Sequence, residues 1–162
     1  MRKFENNYAF IDAQNTQKGT EKLGWKINWQ RFRVYLKEKY AVKIAFLFMG
    51  YIPSNQRLYI KLRQFGFVII FKPVILNNDD KPKGNCDADM VLNVMLEKDN
   101  FDQAVIVTSD GDFYSLVKYL YQENKLKAVL SAHINHCSGL LKKEAKGKIS
   151  YLQDFKNGLE YK

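Results

Sequence analysis

Five aspartates fall at three points of the chain: the end of the first apolar run, the start of a helical stretch after a polar loop, and the end of the fourth apolar run. They are Asp12 in "FIDAQN", Asp87 and Asp89 in "GNCDADM", and Asp110 and Asp112 in "VTSDGDF". Two of these groups have an ordinary structural explanation when taken alone. Asp110-Gly111-Asp112 matches a tight turn with an N-cap, since aspartate accepts bonds from orphan amides and glycine tolerates unusual backbone angles. Asp87 and Asp89 suit the positive end of a helix dipole. Asp12 is harder to reduce to local chemistry. It directly follows Phe10 and Ile11, and a carboxylate there must be partnered, bound to a metal or exposed at a rim. Brought together in a low-dielectric cleft, these acids would repel one another and stay ionised only beside a compensating cation. Oxygen donors of this kind suit hard divalent ions.

The elements that must position them follow from apolar periodicity. Strands are predicted over 8–12, 43–52, 67–76, 103–110 and 125–132, and helices over 29–40, 55–66, 86–100 and 113–124. Residues 77–85 form a polar, turn-rich loop, and a basic helical stretch and tail follow over 138–162. Continuous apolar strands alternating with helices predict a mostly parallel sheet with helices on both faces. In such sheets ligands bind beyond the carboxyl ends of the strands, where all three acid groups fall. On the helix over 86–100, Asp87 shares a stripe with Met90, Val91 and Val94 at spacings of three, four and seven. That stripe favours Asp87 as a direct ligand, with Asp89 as auxiliary.

Three segments in this order, "NYAFIDAQN", "KGNCDADMVLNVML" and "VIVTSDGDF", resemble the signatures of NYN domains, the LabA-like branch of the PIN-like nuclease superfamily. The resemblance spans about residues 8–132. It implies a three-layer Rossmann-like (PIN-like) sheet with an acidic pocket that binds Mg²⁺ or Mn²⁺ and cuts RNA. It places catalytic and metal-binding roles on Asp12, Asp87, Asp110 and Asp112, and auxiliary roles on Asn15, Asp89 and Ser109. A bound ion would lower the pKa of a water for in-line attack on phosphorus and offset charge on the leaving oxygen. A second ion about 3.5–4 Å away is usual for such displacements.

Composition bounds the alternatives. A hydrophobic fraction of 46% excludes a disordered chain in spite of a net charge of +9. The 162 residues match one domain, with its core over about 8–132. No apolar run approaches the roughly 20 residues of a membrane span, and two cysteines without framework spacing suit free thiols, so a cytoplasmic protein is expected. The basic excess suggests a polyanion, RNA with DNA as the alternative polymer. From Lys125 onward eight lysines face three acids, a net of +5, with Lys142, Lys143, Lys146 and Lys148 the densest group. With Lys81 and Lys83 they are the expected nucleic-acid contacts. Tyr51, just after a strand, is a candidate for stacking on an unpaired base, against an ordinary packing role. "HINHC" fits no structural-zinc spacing. Two functions survive, a metal-dependent endoribonuclease and an RNA-binding or scaffold module with little or no turnover. A homo-oligomer is left open.

Overall fold

The computed structural model describes residues 4–72, 75–76, 82–83 and 86–162, the two short pairs by their backbone alone. Strand β1 (Asn7–Asp12) leads into helix α1 (Ala13–Lys22), followed by α2 (Trp29–Tyr40), β2 (Val42–Gly50), α3 (Gln56–Gln64) and β3 (Phe67–Lys72). A two-stranded antiparallel ribbon, β4 (Ile75–Leu76) and β5 (Pro82–Lys83), precedes α4 (Asp87–Glu97). Then come β6 (Ala104–Val107), α5 (Tyr114–Gln122), β7 (Leu126–Ser131), α6 (Gly139–Ala145), β8 (Ile149–Tyr151) and α7 (Lys156–Leu159). Six strands pair in parallel in the order β3-β2-β1-β6-β7-β8.

The strands are apolar on both sides because both sides are covered. Successive side chains point to opposite faces, so Ile11, Leu47, Val107 and Leu130 join one core with Phe32, Leu36, Leu62 and Leu159. Their neighbours Phe10, Phe46, Ile106 and Val129 join the other with Met90, Leu116, Leu120 and Leu141. The helices of the first half thus cover one face and α4, α5 and α6 the other, giving the three-layer α/β architecture. Phe10 is wholly buried and stacks on Phe46 at 5.4 Å between centroids. Each such side chain contributes about 1.5–3 kcal/mol through loss of water contact.

This wrapping creates the position that matters for function. Helix α1 follows β1 onto one face and α5 follows β6 onto the other, while β1 and β6 are neighbours. A crevice therefore opens between their carboxyl ends, the switch point at which open α/β sheets bind ligands.

Helix α1 lies where the sequence predicted no element. Its sequence, "AQNTQKGTEK", buries only Ala13, Thr16 and Thr20, so it carries no large apolar stripe. Small residues let it lie close: a Cβ added at Gly19 would come within 2.7 Å of the Ala132 Cβ. The strand predicted over 67–76 ends in the sheet at Lys72, and Ile75 and Leu76 pair instead with Pro82 and Lys83. Residues 77–81, 84 and 85 of the predicted loop lie outside the described residues. The segment read as a tail supplies β8 and buries Leu152 and Leu159, and Tyr161 N donates to the Lys26 carbonyl. Cys86 and Cys137 are free thiols. Among the described residues no helix is long and apolar enough to cross a membrane.

Candidate metal centre

Asp12 ends β1 and N-caps α1, its Oδ1 accepting from Asn15 N at 3.4 Å while Thr108 Oγ1 donates to Oδ2 at 3.4 Å. The cap explains why a helix starts here, and it does not neutralise the charge. Burial, then the negative charges of Asp87 and Asp110, raise the Asp12 pKa to about 6 against the opposing pull of the Asn15 amide and the Thr108 hydroxyl. Asp110 leaves β6 through Thr108 and Ser109. Its Oδ1 accepts from Asp112 N at 2.9 Å, which nucleates the short 3₁₀ turn Gly111–Phe113. Asp87 is the first residue of α4.

One carboxylate oxygen from each of Asp87, Asp110 and Asp112 lies within 4.8 Å of the other two. Oxygens that share a hard cation at about 2.0–2.1 Å lie within about 4.2 Å of one another, so a small closing of the three carboxylates would bring them to ligand spacing. Asp12, Asn15, Lys18, Cys86, Asp87 and Asp110 line one pocket of about 280 Å³. Asp112 is exposed at its rim, whereas Asp89 is exposed on α4 outside the three-carboxylate cluster. Three helical N-termini, those of α1, α4 and the Gly111 turn, meet at this pocket. Their partial positive charges offset part of the mutual repulsion of the acids.

Asn15 and Ser109 are both held by hydrogen bonds. Asn15 Oδ1 accepts from Ser109 N at 2.8 Å, with the Thr108 hydroxyl at 3.5 Å, so its amide nitrogen turns the other way and keeps two donors for a ligand. Ser109 Oγ pairs with Ser131 Oγ at 2.7 Å and accepts from Ala132 N at 3.3 Å. Ser109 therefore ties the end of β6 to that of β7. Sequence reasoning passed over Thr108, Ser131, Lys18 and Cys86. Thr108 and Lys18 had a legible signal, one being two residues before Asp110 and the other one helical turn beyond Asn15. The Cys86 thiol is pushed up to about 11, by burial and then by the charge of Asp12, so it stays protonated at neutral pH.

The lysines separate into two groups. Lys148 Nζ donates to the Leu126 carbonyl at 3.2 Å, and Lys146 and Lys148 both lie over the Tyr121 ring. Leu126 opens β7 and Ser131 ends it, a distance of about 16 Å at roughly 3.3 Å per residue. The structure thus ties Lys146 and Lys148 to the amino edge of the sheet, away from the pocket, where Lys125 and Lys127 are also engaged by Phe101 O and Glu5. Lys142 and Lys143 lie on α6, whose capping Ser138 meets the Gly111 turn. Lys81 and the Lys83 side chain lie outside the described residues. Among the described residues, the acidic group is the one cluster of His, Cys, Asp and Glu side chains spaced to share an ion.

Gly111 has a steric reason to be glycine. An added Cβ would sit 2.5 Å from Ser138 Oγ and 3.0 Å from Ser138 Cβ. Ser138 cannot rotate away freely, because its Oγ caps α6 by accepting from Leu140 N. Gly111→Ala is expected to destabilise the protein by about 1–3 kcal/mol, the range for overpacking, as read by urea denaturation. Unchanged stability would show that the turn yields at no cost.

A doubly wound parallel sheet with clustered carboxylates at its switch point defines an α/β protein built around an acidic, metal-suited crevice. The NYN domain family model matches residues 8–152, and the chain belongs to that family, part of the PIN-like nuclease superfamily. A protein of unknown function from Vibrio parahaemolyticus RIMD 2210633, known from a crystal structure, shares the fold with a TM-score of 0.81 at 20% identity, over 99% of each chain. No curated protein matches the chain.

Proposed function

We propose that this protein is a divalent-metal-dependent endoribonuclease that hydrolyses RNA phosphodiester bonds at the pocket of Asp12, Asp87, Asp110 and Asp112. The observation that carries the reading is the convergence of three carboxylate oxygens within 4.8 Å at the switch point of an NYN fold. The donor set fits Mg²⁺ or Mn²⁺: all oxygen, all acidic, and partly buried, so that a cation relieves the burial and the mutual repulsion that together raise the pKa of Asp12. When bound, such an ion supplies a water of lowered pKa and offsets charge on the leaving oxygen. Asp87, Asp110 and Asp112, whose oxygens converge, would hold it together with Asp12 in the same pocket, with Asp89 as an outer acid. The Asn15 amide donates to a phosphate oxygen, and Lys18 supplies a cation at the wall. Thr108 and Ser109 fix the two strand ends. Lys142 and Lys143 contact the RNA backbone further out. The whole chain, 1–162, forms one domain around this site, supported by the isolated bridge between Ile27 and Glu160.

Labelled RNA incubated with the purified protein tests the reading. Cleavage is expected with Mg²⁺ or Mn²⁺ and none in EDTA. The same ions should raise the melting temperature, because a ligand that binds only the folded state stabilises it. That shift should shrink as the pH falls below about 6, since a proton on Asp12 then competes with the cation. RNA bound but uncut under all of these conditions would reassign the protein as a binding module.

A further inference from the structure

Tyr51 is the first residue after β2, and the preceding Gly50 and Met49 line the acidic pocket. Its ring is held on the protein side. Tyr59 lies nearly parallel to it at 5.9 Å between centroids, Phe71 meets it at 82° and 5.2 Å, and Gln56 Nε2 donates to its hydroxyl. The supporting rings are fixed in turn: Tyr59 is buried and its hydroxyl accepts from Ile52 N at 2.9 Å. The backbone is fixed as well, since Tyr51 N donates to the Lys72 carbonyl at 3.0 Å. Yet 39% of Tyr51 remains exposed, as does 38% of the adjacent Ile52. The ring is clamped on one side and open on the other, one residue from the pocket wall.

We infer that Tyr51 is a stacking platform for the unpaired base next to the phosphate held in the acidic pocket, which makes the substrate at this point single-stranded nucleic acid. The inference rests on the nuclease reading for its choice of ligand. A base stacked on a pre-oriented ring loses little side-chain entropy, and every base offers a π-face, so the platform holds a strand without reading its sequence. Lys72 pairs with Gly50 across β2 and β3 and adds positive charge on the Tyr51 side of the pocket, where a backbone would run.

The test is binding in EDTA, which separates it from turnover. Single-stranded RNA and DNA oligonucleotides, each with one 2-aminopurine moved along the sequence, are titrated with wild type, Tyr51→Phe, Tyr51→Trp and Tyr51→Leu. Wild type, Tyr51→Phe and Tyr51→Trp should quench the probe at one position. Tyr51→Leu should lose the quenching and weaken binding roughly 5- to 150-fold, the range for one base on one aromatic. An abasic nucleotide at that position should weaken wild type by a similar factor and add nothing to Tyr51→Leu. This arm tests the platform in the unaltered protein, should the leucine variant fold poorly. Additive losses, an unaffected Tyr51→Leu, or no oligonucleotide binding by wild type would overturn the inference. So would a Tyr51→Leu change that alters only self-association, which would assign the ring to contact between copies. Failure of the nuclease reading reads differently: quenching at Tyr51 with no metal-dependent cleavage by wild type. The RNA and DNA arms show whether the platform serves one polymer or both.

Discussion

Asp110→Asn should abolish RNA cleavage while leaving RNA affinity unchanged or higher. The substitution is chosen because of what it keeps. Asparagine retains an oxygen that can accept from Asp112 N, the bond that starts the Gly111 turn, so the geometry of the loop survives. What it removes is one negative charge from the cluster of Asp87, Asp110 and Asp112. Losing even an outer partner of a metal ligand costs roughly 10–100-fold, so loss of a direct ligand should exceed that, on the order of 10³-fold in single-turnover rate. Phosphate carries negative charge too, and a pocket with one anion fewer repels it less. Gel-shift titration beside a cleavage time course reads both quantities. Cleavage at the wild-type rate would remove Asp110 from the metal site, and cleavage and affinity lost together would point to a fold defect.

The dual use of these acids explains how much could be read from residues alone. Asp110 caps a helical turn as its local sequence suggests, Asp12 caps α1 as well, and both side chains line the acidic pocket. Local chemistry and site chemistry coincide because an amide-rich helix start is where an anion is held most easily. The layered sheet was legible for a similar reason. Runs such as "IAFLFM" are apolar at every position, which only a strand covered on both faces requires. Helix α1 was invisible because it packs through Ala13, Thr16, Thr20 and the close approach at Gly19, and small residues leave no hydrophobic stripe. The lysines that cluster in the sequence separate in space, because charge counted along a chain ignores the return path of the crossover. Helix α6 starts beside the Gly111 turn, and the chain has reached the opposite edge of the sheet by Lys148, so neighbours in sequence are separated in space. The pairing of the Ser109 and Ser131 hydroxyls could not be foreseen, since it depends on the register between β6 and β7.

Asp12→Asn should remove cleavage and, in the absence of metal, stabilise the protein. The sign follows from the direction of the pKa shift. Asp12 is raised from an ordinary value near 3.8 to about 6. The folded state therefore holds that proton more tightly than the unfolded state does. The favourable contribution is full below about pH 3.8, declines as pH rises toward 6, and above 6 has given way to the cost of a half-buried carboxylate facing Asp87 and Asp110. Asparagine removes that cost and keeps an oxygen for the Asn15 amide, while its nitrogen can donate to Thr108 Oγ1. At 1.36 kcal/mol per unit the gain at pH 7–8 is about 1–3 kcal/mol, fading to nothing near pH 4. Denaturant melts in EDTA at the two pH values measure it, and added Mg²⁺ should reverse the order, since wild type gains from the ion and the variant does not. The carboxylate is thus kept at a cost in apo stability, the pattern expected where a side chain is present for its ligand. A variant less stable than wild type at pH 8 would mean that Asp12 is already compensated within the protein, and that the pocket is not negative enough to need a cation.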